Sequence, residues 1–325
     1  MSISTDTAMD HPPPTTSPAP RPGSYRRGIL QVAVAAGLWG AAYPLTKGAL
    51  ASLPAISLGF ARFALASGVL MALTRSGPLA GIAPEDRRAM GWLAFWGTFV
   101  LVLGMNFGLR WAPGIASSII SGTPPLFTII LAAIWWREPW QGRQFIAVGL
   151  ALLGLFLLAG DAPATVAQGP EYWLGLGLVT VPQIAWAIYG LLGKAVIARY
   201  PWTAVCRDTF ALGALMLAPF AAVEAIWLGL GTWGSRELLT LLYLGVCNSV
   251  VTYGLWNSAL AMIPVATASF VLYLQPISGA ILSAVLFGER LGSAGLLGTL
   301  LIFAALALVL RPGPTSPHEE PAPAP

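Results

Sequence analysis

Long apolar runs alternate with short polar breaks along the chain, and the runs share one length. Ten segments stand out: 29–50, 54–74, 90–111, 114–136, 144–160, 172–193, 202–223, 238–261, 265–287 and 292–310. A hydrocarbon core about 30 Å thick needs roughly 20 apolar residues per helix, so each run reads as a helix crossing a bilayer. The breaks are compact and polar, as in Ala83-Pro84-Glu85-Asp86-Arg87-Arg88. Nowhere do apolar and polar residues alternate with period two over a strand's length, which sets aside a closed barrel. The run from Ile29 exceeds a signal-peptide core and lacks a cleavage site, so it reads as the first span. The pattern predicts an all-α integral membrane protein of ten transmembrane helices. Residues 1–28, rich in Pro, Ser and Thr, and the Pro-rich residues 311–325 hold too little apolar surface to offset the entropy of ordering. They are expected to be disordered tails.

The apolar pattern is also written twice. At an offset of 151, Asn106 pairs with Asn257, Pro113 with Pro264, Pro125 with Pro276 and Glu138 with Glu289. Nearer the start the offset is 147, relating Trp39 to Trp186, Lys47 to Lys194, and Phe63-Ala64-Leu65 to Phe210-Ala211-Leu212. The copies occupy residues 29–161 and 172–310. Five helices is an odd number, so the second copy is expected to enter the membrane upside down relative to the first. Inverted repeats of this kind mark carriers that bind substrate near the midplane and rock one half against the other.

Composition sharpens this picture. The chain is 56% hydrophobic and 9% charged, against about a quarter charged in soluble domains. A net charge of +4 raises the question of nucleic acid, but the basic residues are scattered singly and build no basic face. They follow membrane topology instead. With the N-terminus inside, eleven Lys and Arg flank the cytoplasmic ends of the spans and four (Lys47, Arg110, Arg236, Arg290) the outer ends. Both termini are therefore expected in the cytoplasm. Cys206 and Cys247 lie within apolar runs and read as buried thiols. The two histidines, His11 and His318, fall in the tails, and no Cys/His metal spacing or pair of intramembrane aspartates occurs. Hydrolytic and metal chemistry thus have no residues to work with, and neither enzyme activity nor a cofactor is expected. The expected partners are a small-molecule substrate and the lipid bilayer, and a monomer is compatible with the pattern.

A substrate site is sought among polar and aromatic residues at mid-depth. Trp39 lies away from the interfacial belt that holds most membrane tryptophans, and Tyr43 shares its face. Their repeat counterparts are Trp186 and, approximately, Tyr189. Such a mirrored set suits a central cavity or helix packing. Trp111, Trp135, Trp136, Trp140, Trp173, Trp202, Trp227 and Trp233, at helix ends or in loops, are assigned to the belt; Trp256 would line a mouth or anchor its helix. Asn106 continues a face with Phe99, and Asn257 one with Tyr253 and Val250. An amide in hydrocarbon either bonds another helix or faces a polar cavity. Pro124 and Pro125 free the carbonyls of Ile120 and Ser121, and Pro276 frees that of Leu272. These are acceptors for a substrate ammonium or the marks of a kink. Ser117, Ser121 and Thr128 share a face there, with Tyr273 and Gln275 at matching depth in the ninth span. Arg62 is the deepest charge, placed for a substrate carboxylate or for nearby carbonyls. Arg207 and Asp208 pair with each other or with water. No carboxylate sits at the centre of a span, which speaks against proton antiport through a buried acid.

Trp39-Gly40 with Pro44 and Lys47, Arg62-Phe63, and the run from Pro125 to Glu138 together resemble the drug/metabolite transporter superfamily, in its EamA branch of two five-helix repeats. The resemblance covers about residues 29–310 and departs from the pattern at Thr209, opposite Arg62, and at Gln275, opposite Pro124. It implies a bacterial inner-membrane carrier exporting amino acids, related metabolites or drugs. A sugar or nucleotide-sugar carrier is the competing expectation, although no central basic cluster for a diphosphate is present. A receptor or scaffold without transport is the alternative of another class.

Overall fold

The computed structural model describes residues 22–136, 142–161, 169–260, 262, 263, 268 and 271–310. All regular structure among them is helical. In chain order the helices are α1 (Pro22–Ala49), α2 (Ala55–Thr74), α3 (Pro84–Trp111), α4 (Gly114–Ile120 and Pro124–Trp136), α5 (Gly142–Gly160), α6 (Pro170–Ile197), α7 (Trp202–Leu228), α8 (Ser235–Leu260), α9 (Leu274–Phe287) and α10 (Ser293–Leu310). Helices α1 to α3 and α5 to α8 are each long and apolar enough to cross a membrane; α4 makes an eighth if its two pieces, bent by 41°, form one span. Helices α9 and α10 are apolar but shorter, and the expected span 265–287 is described mainly in its second half. The expected tails, Glu138, Pro264, Trp140 and the side chains of Trp136 and Lys194 lie outside the described residues, apart from residues 22–28. Those residues correct the expected tail boundary. Pro22 opens α1 well before Ile29, because proline at a helix's first position is pre-set for it and lacks only an amide hydrogen that would go unpaired anyway.

Packing obeys the sequence repeat. Helix α2 lies on α7 and α5 on α10, while α1 lies against α8 and α9 as α6 lies against α3 and α4. Irregular backbone follows the same offset. A π-helical segment, Phe95–Val100, interrupts α3, and another, Tyr243–Val251, interrupts α8. Turns break α4 at Ser121–Gly122 and the chain entering α9 at Leu272–Tyr273. Val100 and Val251, like Ser121 and Leu272, are 151 residues apart.

Without a hydrophobic force between helices in lipid, close packing depends on small residues at the crossings. A Cβ on Gly40 of α1 would overlap the Gln275 carbonyl and the Ser278 Oγ of α9, and Gly154 and Gly298 bring α5 and α10 backbone to backbone in the same way. Outward-facing apolar side chains such as Ile226, Val285 and Leu300 are exposed, as lipid-facing positions are. Trp135, Trp173 and Trp227, near helix ends, are exposed as well, Trp227 by 82%.

The ion pairs among the described residues lie at the two ends of the bundle. At the end carrying Lys47, carboxylates meet helix N-termini. Ser57 of α2 donates from its backbone N–H and its Oγ to Glu224, at 2.7 and 3.0 Å. Gly292 donates to Asp161 ahead of α10 at 2.6 Å, and Gly234 to Glu237 ahead of α8 at 3.1 Å. At the opposite end Arg207 pairs with Asp208 at 2.7 Å, and both clasp the α2–α3 loop through the Ala80 carbonyl and the Leu79 N–H. Arg199 and the Tyr200 hydroxyl meet Asp86 beside them, at 3.0 and 2.7 Å.

The crossing of α1 and α9 yields a matched pair of substitutions. Gly40→Ala should lower thermal stability in detergent by about 1–3 kcal/mol through overpacking. Gly37→Ala, one turn away with nothing within 4 Å of its would-be Cβ, should be neutral or slightly stabilising. Equal melting temperatures for the two variants would contradict the packing.

Candidate transport site

The two repeat-related tryptophans come together in the interior. Trp39 of α1 meets the edge of Tyr253 of α8 with ring centres 5.6 Å apart, and Trp186 of α6 meets the same ring at 6.2 Å. Tyr189 stacks on Trp186 at 5.1 Å, 12° from parallel, and Trp256 lies 6.1 Å from Trp39. Trp256 therefore belongs to the cluster. Phe210 and Phe63 extend it from α7 to α2, at 5.7 and 5.1 Å. Although they touch across the bundle, Trp39, Trp186, Tyr189 and Tyr253 each keep part of their surface accessible. Tyr43 is buried beside them, its hydroxyl accepting from Gln183 Nε2 at 3.3 Å. Phe99 packs against the same core as Phe63, Phe210 and Tyr253. Its ring stacks on Phe95 and meets Phe220, an exposed residue of α7.

Arg62 reaches from α2 to the π-helical segment of α8. Its Nε donates to Ser249 Oγ at 3.2 Å and its Nη2 to Asn248 Oδ1 at 2.6 Å, while the guanidinium rests 4.8 Å from the centre of the Phe63 ring. Asn248 Nδ2 and the Tyr243 hydroxyl both donate to the Leu38 carbonyl, at 3.0 and 2.6 Å, next to Trp39. Asn248, Ser249, Tyr243 and Gln183 were not among the residues singled out from sequence. Asn248-Ser249 was the available signal, two polar residues in the middle of an apolar run. The repeat concealed it, since their counterparts are the unremarked Gly97 and Thr98.

Each mirrored amide finds a protein partner. Asn106 Nδ2 donates across to the Ala55 carbonyl at 2.8 Å, and Asn257 Nδ2 donates within its own helix to the Tyr253 carbonyl at 2.8 Å. At the helix breaks, the Ile120 carbonyl freed by Pro124 accepts from Thr123, from its N–H at 3.0 Å and its Oγ1 at 2.7 Å. The Leu272 carbonyl accepts from the Gln275 N–H at 2.9 Å. Local turns thus take up acceptors that proline releases. Ser121 Oγ donates to the Ser118 carbonyl at 2.6 Å and accepts from Gln275 Nε2 at 3.4 Å, which ties α4 to α9. Tyr273 packs edge-on against Phe303 of α10, 5.9 Å away.

A charged cluster lies at the Lys47 end. Lys47 Nζ, at the end of α1, donates to Glu289 Oε1 at 2.8 Å and to the Ala112 carbonyl at 3.0 Å. Glu289, following α9, also accepts from the first N–H groups of α4, Gly114 at 2.9 Å and Ile115 at 2.7 Å. The pair is largely buried, at 24% and 11% exposure, where ion pairing outweighs what it contributes at an open surface. One carboxylate thereby joins three helices drawn from both copies. By repeat, the counterparts of this pair are Lys194 and Glu138.

Known proteins share this plan. The chain is 25% identical to the "Probable amino-acid metabolite efflux pump" of Escherichia coli, over 87% of this chain and 94% of that protein. It is 26% identical to the "Probable terminal-alkyne amino-acid exporter" of Streptantibioticus cattleyicolor, over 84% and 90% of the two chains. An "Uncharacterized transporter" of Archaeoglobus fulgidus is 24% identical over 87% of this chain and 98% of its own length. A solved structure shares the fold, with a TM-score of 0.59 at 19% identity over 86% of this chain and 95% of the other. The profile of the EamA-like transporter family matches twice, over residues 26–160 and 173–311, so each sequence copy is one such unit and the chain, a multi-pass membrane protein with transporter function, belongs to that family.

Proposed function

We propose that this chain is a secondary carrier of the inner membrane that exports amino acids or related small metabolites by alternating access through a central aromatic cavity. The observation that carries the reading is the meeting of Trp39 and Trp186, one from each repeat, on the single ring of Tyr253. Aromatic faces at the junction of two rocking halves accept an apolar side chain or a cation, and they change their contacts when the halves move. Two relatives named as amino-acid exporters agree with this substrate class.

Ten spans in two five-helix copies place the copies in opposite orientations. The distribution of Lys and Arg puts both termini in the cytoplasm and the Lys47 end outside. The contacts of Lys47, Glu289 and the start of α4 then form the outer closure. In the outward-open state Glu289 releases Lys47 and the two α4 amides, and the cost is met by new contacts at the cytoplasmic end. The two states must lie within a few kcal/mol of each other for substrate to shift between them.

Two measurements test the proposal. Proteoliposomes holding the purified protein should show saturable uptake from a labelled amino-acid panel, and Trp39→Ala and Trp186→Ala should each abolish most of it. A wild-type protein that moves no amino acid in the panel would end the substrate assignment. The outer closure is probed with a cysteine at Ser283, a fully buried position against Gly114 beneath the lock, after replacing Cys206 and Cys247. Glu289→Gln should speed its labelling by a membrane-impermeant thiol reagent about tenfold, as expected from loss of one charge-assisted contact. Unchanged labelling would show that the pair does not close that end.

A further inference from the structure

Three ion pairs occur among the described residues: Lys47–Glu289, Arg199–Asp86 and Arg207–Asp208. Arg62 is in none of them. Its two hydrogen-bond partners are neutral, and its Nη1 donors have no partner among the described residues. A guanidinium within a membrane span with only neutral acceptors keeps its full charge, and this arrangement is expensive unless an anion completes it.

The surroundings orient the group rather than neutralise it. Ser249 sends its own proton to the Leu244 carbonyl five residues back at 2.8 Å, so a lone pair of its oxygen faces Arg62 Nε. Asn248 is turned by its bond to the Leu38 carbonyl, so its amide oxygen faces Nη2. Both acceptors stand on the π-helical segment of α8, a backbone irregularity found often at functional sites. Phe63 holds one face of the guanidinium plane. What is left is the Nη1 side of a planar fork whose geometry matches a carboxylate. The Leu38 carbonyl, one residue from Trp39, ties this fork to the aromatic cluster.

We propose that Arg62, aligned by Asn248 and Ser249, is an anion subsite that binds the carboxylate of the transported molecule, and that the carrier therefore selects carboxylate-bearing substrates. The inference rests on the carrier reading and deepens it: the carboxylate docks on Arg62 while the remainder of the molecule lies against Trp39, Tyr253 and Trp186. Asn248 and Ser249 are positioning residues. The repeat equivalent of Arg62 is Thr209, so the substrate has one carboxylate-binding half and is held in one orientation.

The test compares transport of a labelled amino-acid panel with that of the matching amino-acid amides and decarboxylated amines in proteoliposomes, for the wild type, Arg62→Gln and Arg62→Lys. The subsite requires that the amides and amines move poorly, that Arg62→Gln lowers amino-acid transport about ten- to a hundredfold, and that Arg62→Lys restores part of it. Amides moving as well as acids, with Arg62→Gln unchanged for both, would overturn it. Thermal unfolding without substrate supplies a reading that needs no known substrate. An uncompensated charge predicts that Arg62→Gln is as stable as the wild type or more so, whereas a lower melting temperature identifies the guanidinium as a structural brace and overturns the subsite. If the wild type moves neither acids nor amides, the amino-acid reading fails by itself, and the unfolding comparison still decides Arg62.

Discussion

Helix N-termini at the Lys47 end present backbone N–H groups with no partner inside their own helices, and the fold depends on carboxylates brought to them from elsewhere in the chain. Each such group left buried without a partner costs about 1–3 kcal/mol. Glu224, Asp161 and Glu289 each come from a segment distant in sequence, so satisfying the amides also fixes which helices are neighbours. Glu289 does this most extensively. It holds the start of α4 in place, draws Lys47 and hence α1 towards α9, and so supports the crossing where Gly40 meets Gln275 and Ser278. Trp39 lies one residue before that crossing. The depth of the aromatic cluster thus follows from a contact two helical turns away.

Much of this was legible in sequence. Hydropathy gave the helices because burial in lipid acts on every residue of a span, and the repeat gave their packing because equivalent residues face equivalent neighbours. Trp39 and Trp186 were found in that way, and the proximity of Arg207 and Asp208 in sequence was enough to suggest their pairing. Residues whose partners are set by tertiary contact were harder to read. Nothing local told that Asn106 would reach the Ala55 carbonyl while its counterpart Asn257 turned to its own helix. The carbonyls released by the prolines were equally ambiguous, since whether they open to a cavity depends on the turn that follows. In both copies the turn folds back, through Thr123 and Gln275, and takes up the carbonyl of Ile120 or Leu272.

Of the residues by which the halves differ, sequence pointed to Tyr189 and Tyr253 but not to Asn248. Tyr253 stands where the first copy has Val102, Tyr189 where it has Ala42, and Asn248 where it has Gly97. Small residues on one side make room for large ones on the other: a Cβ on Gly97 would press on the Tyr189 ring. A search for mirrored residues therefore finds the frame and passes over asymmetric contents such as Asn248. Those contents are what a binding site requires, because a small chiral molecule cannot be complementary to both members of a two-fold pair at once.

The two π-helical segments show how a common frame carries unequal chemistry. Widening one turn rotates the residues beyond it relative to a regular helix, which directs side chains across to the second helix of the other copy. In α3 the result is modest, a bond from Thr98 Oγ1 to the Thr209 carbonyl at 3.3 Å. In α8 the same backbone device presents Asn248 and Ser249 to Arg62. The backbone cost of the irregularity is incurred twice, yet a charge is gathered only once. If the segments served packing alone, residues of similar size and polarity would suffice in both copies. The cationic side chain at Arg62, with acceptors already turned towards it, sets the α2–α8 contact apart from its counterpart in the other half.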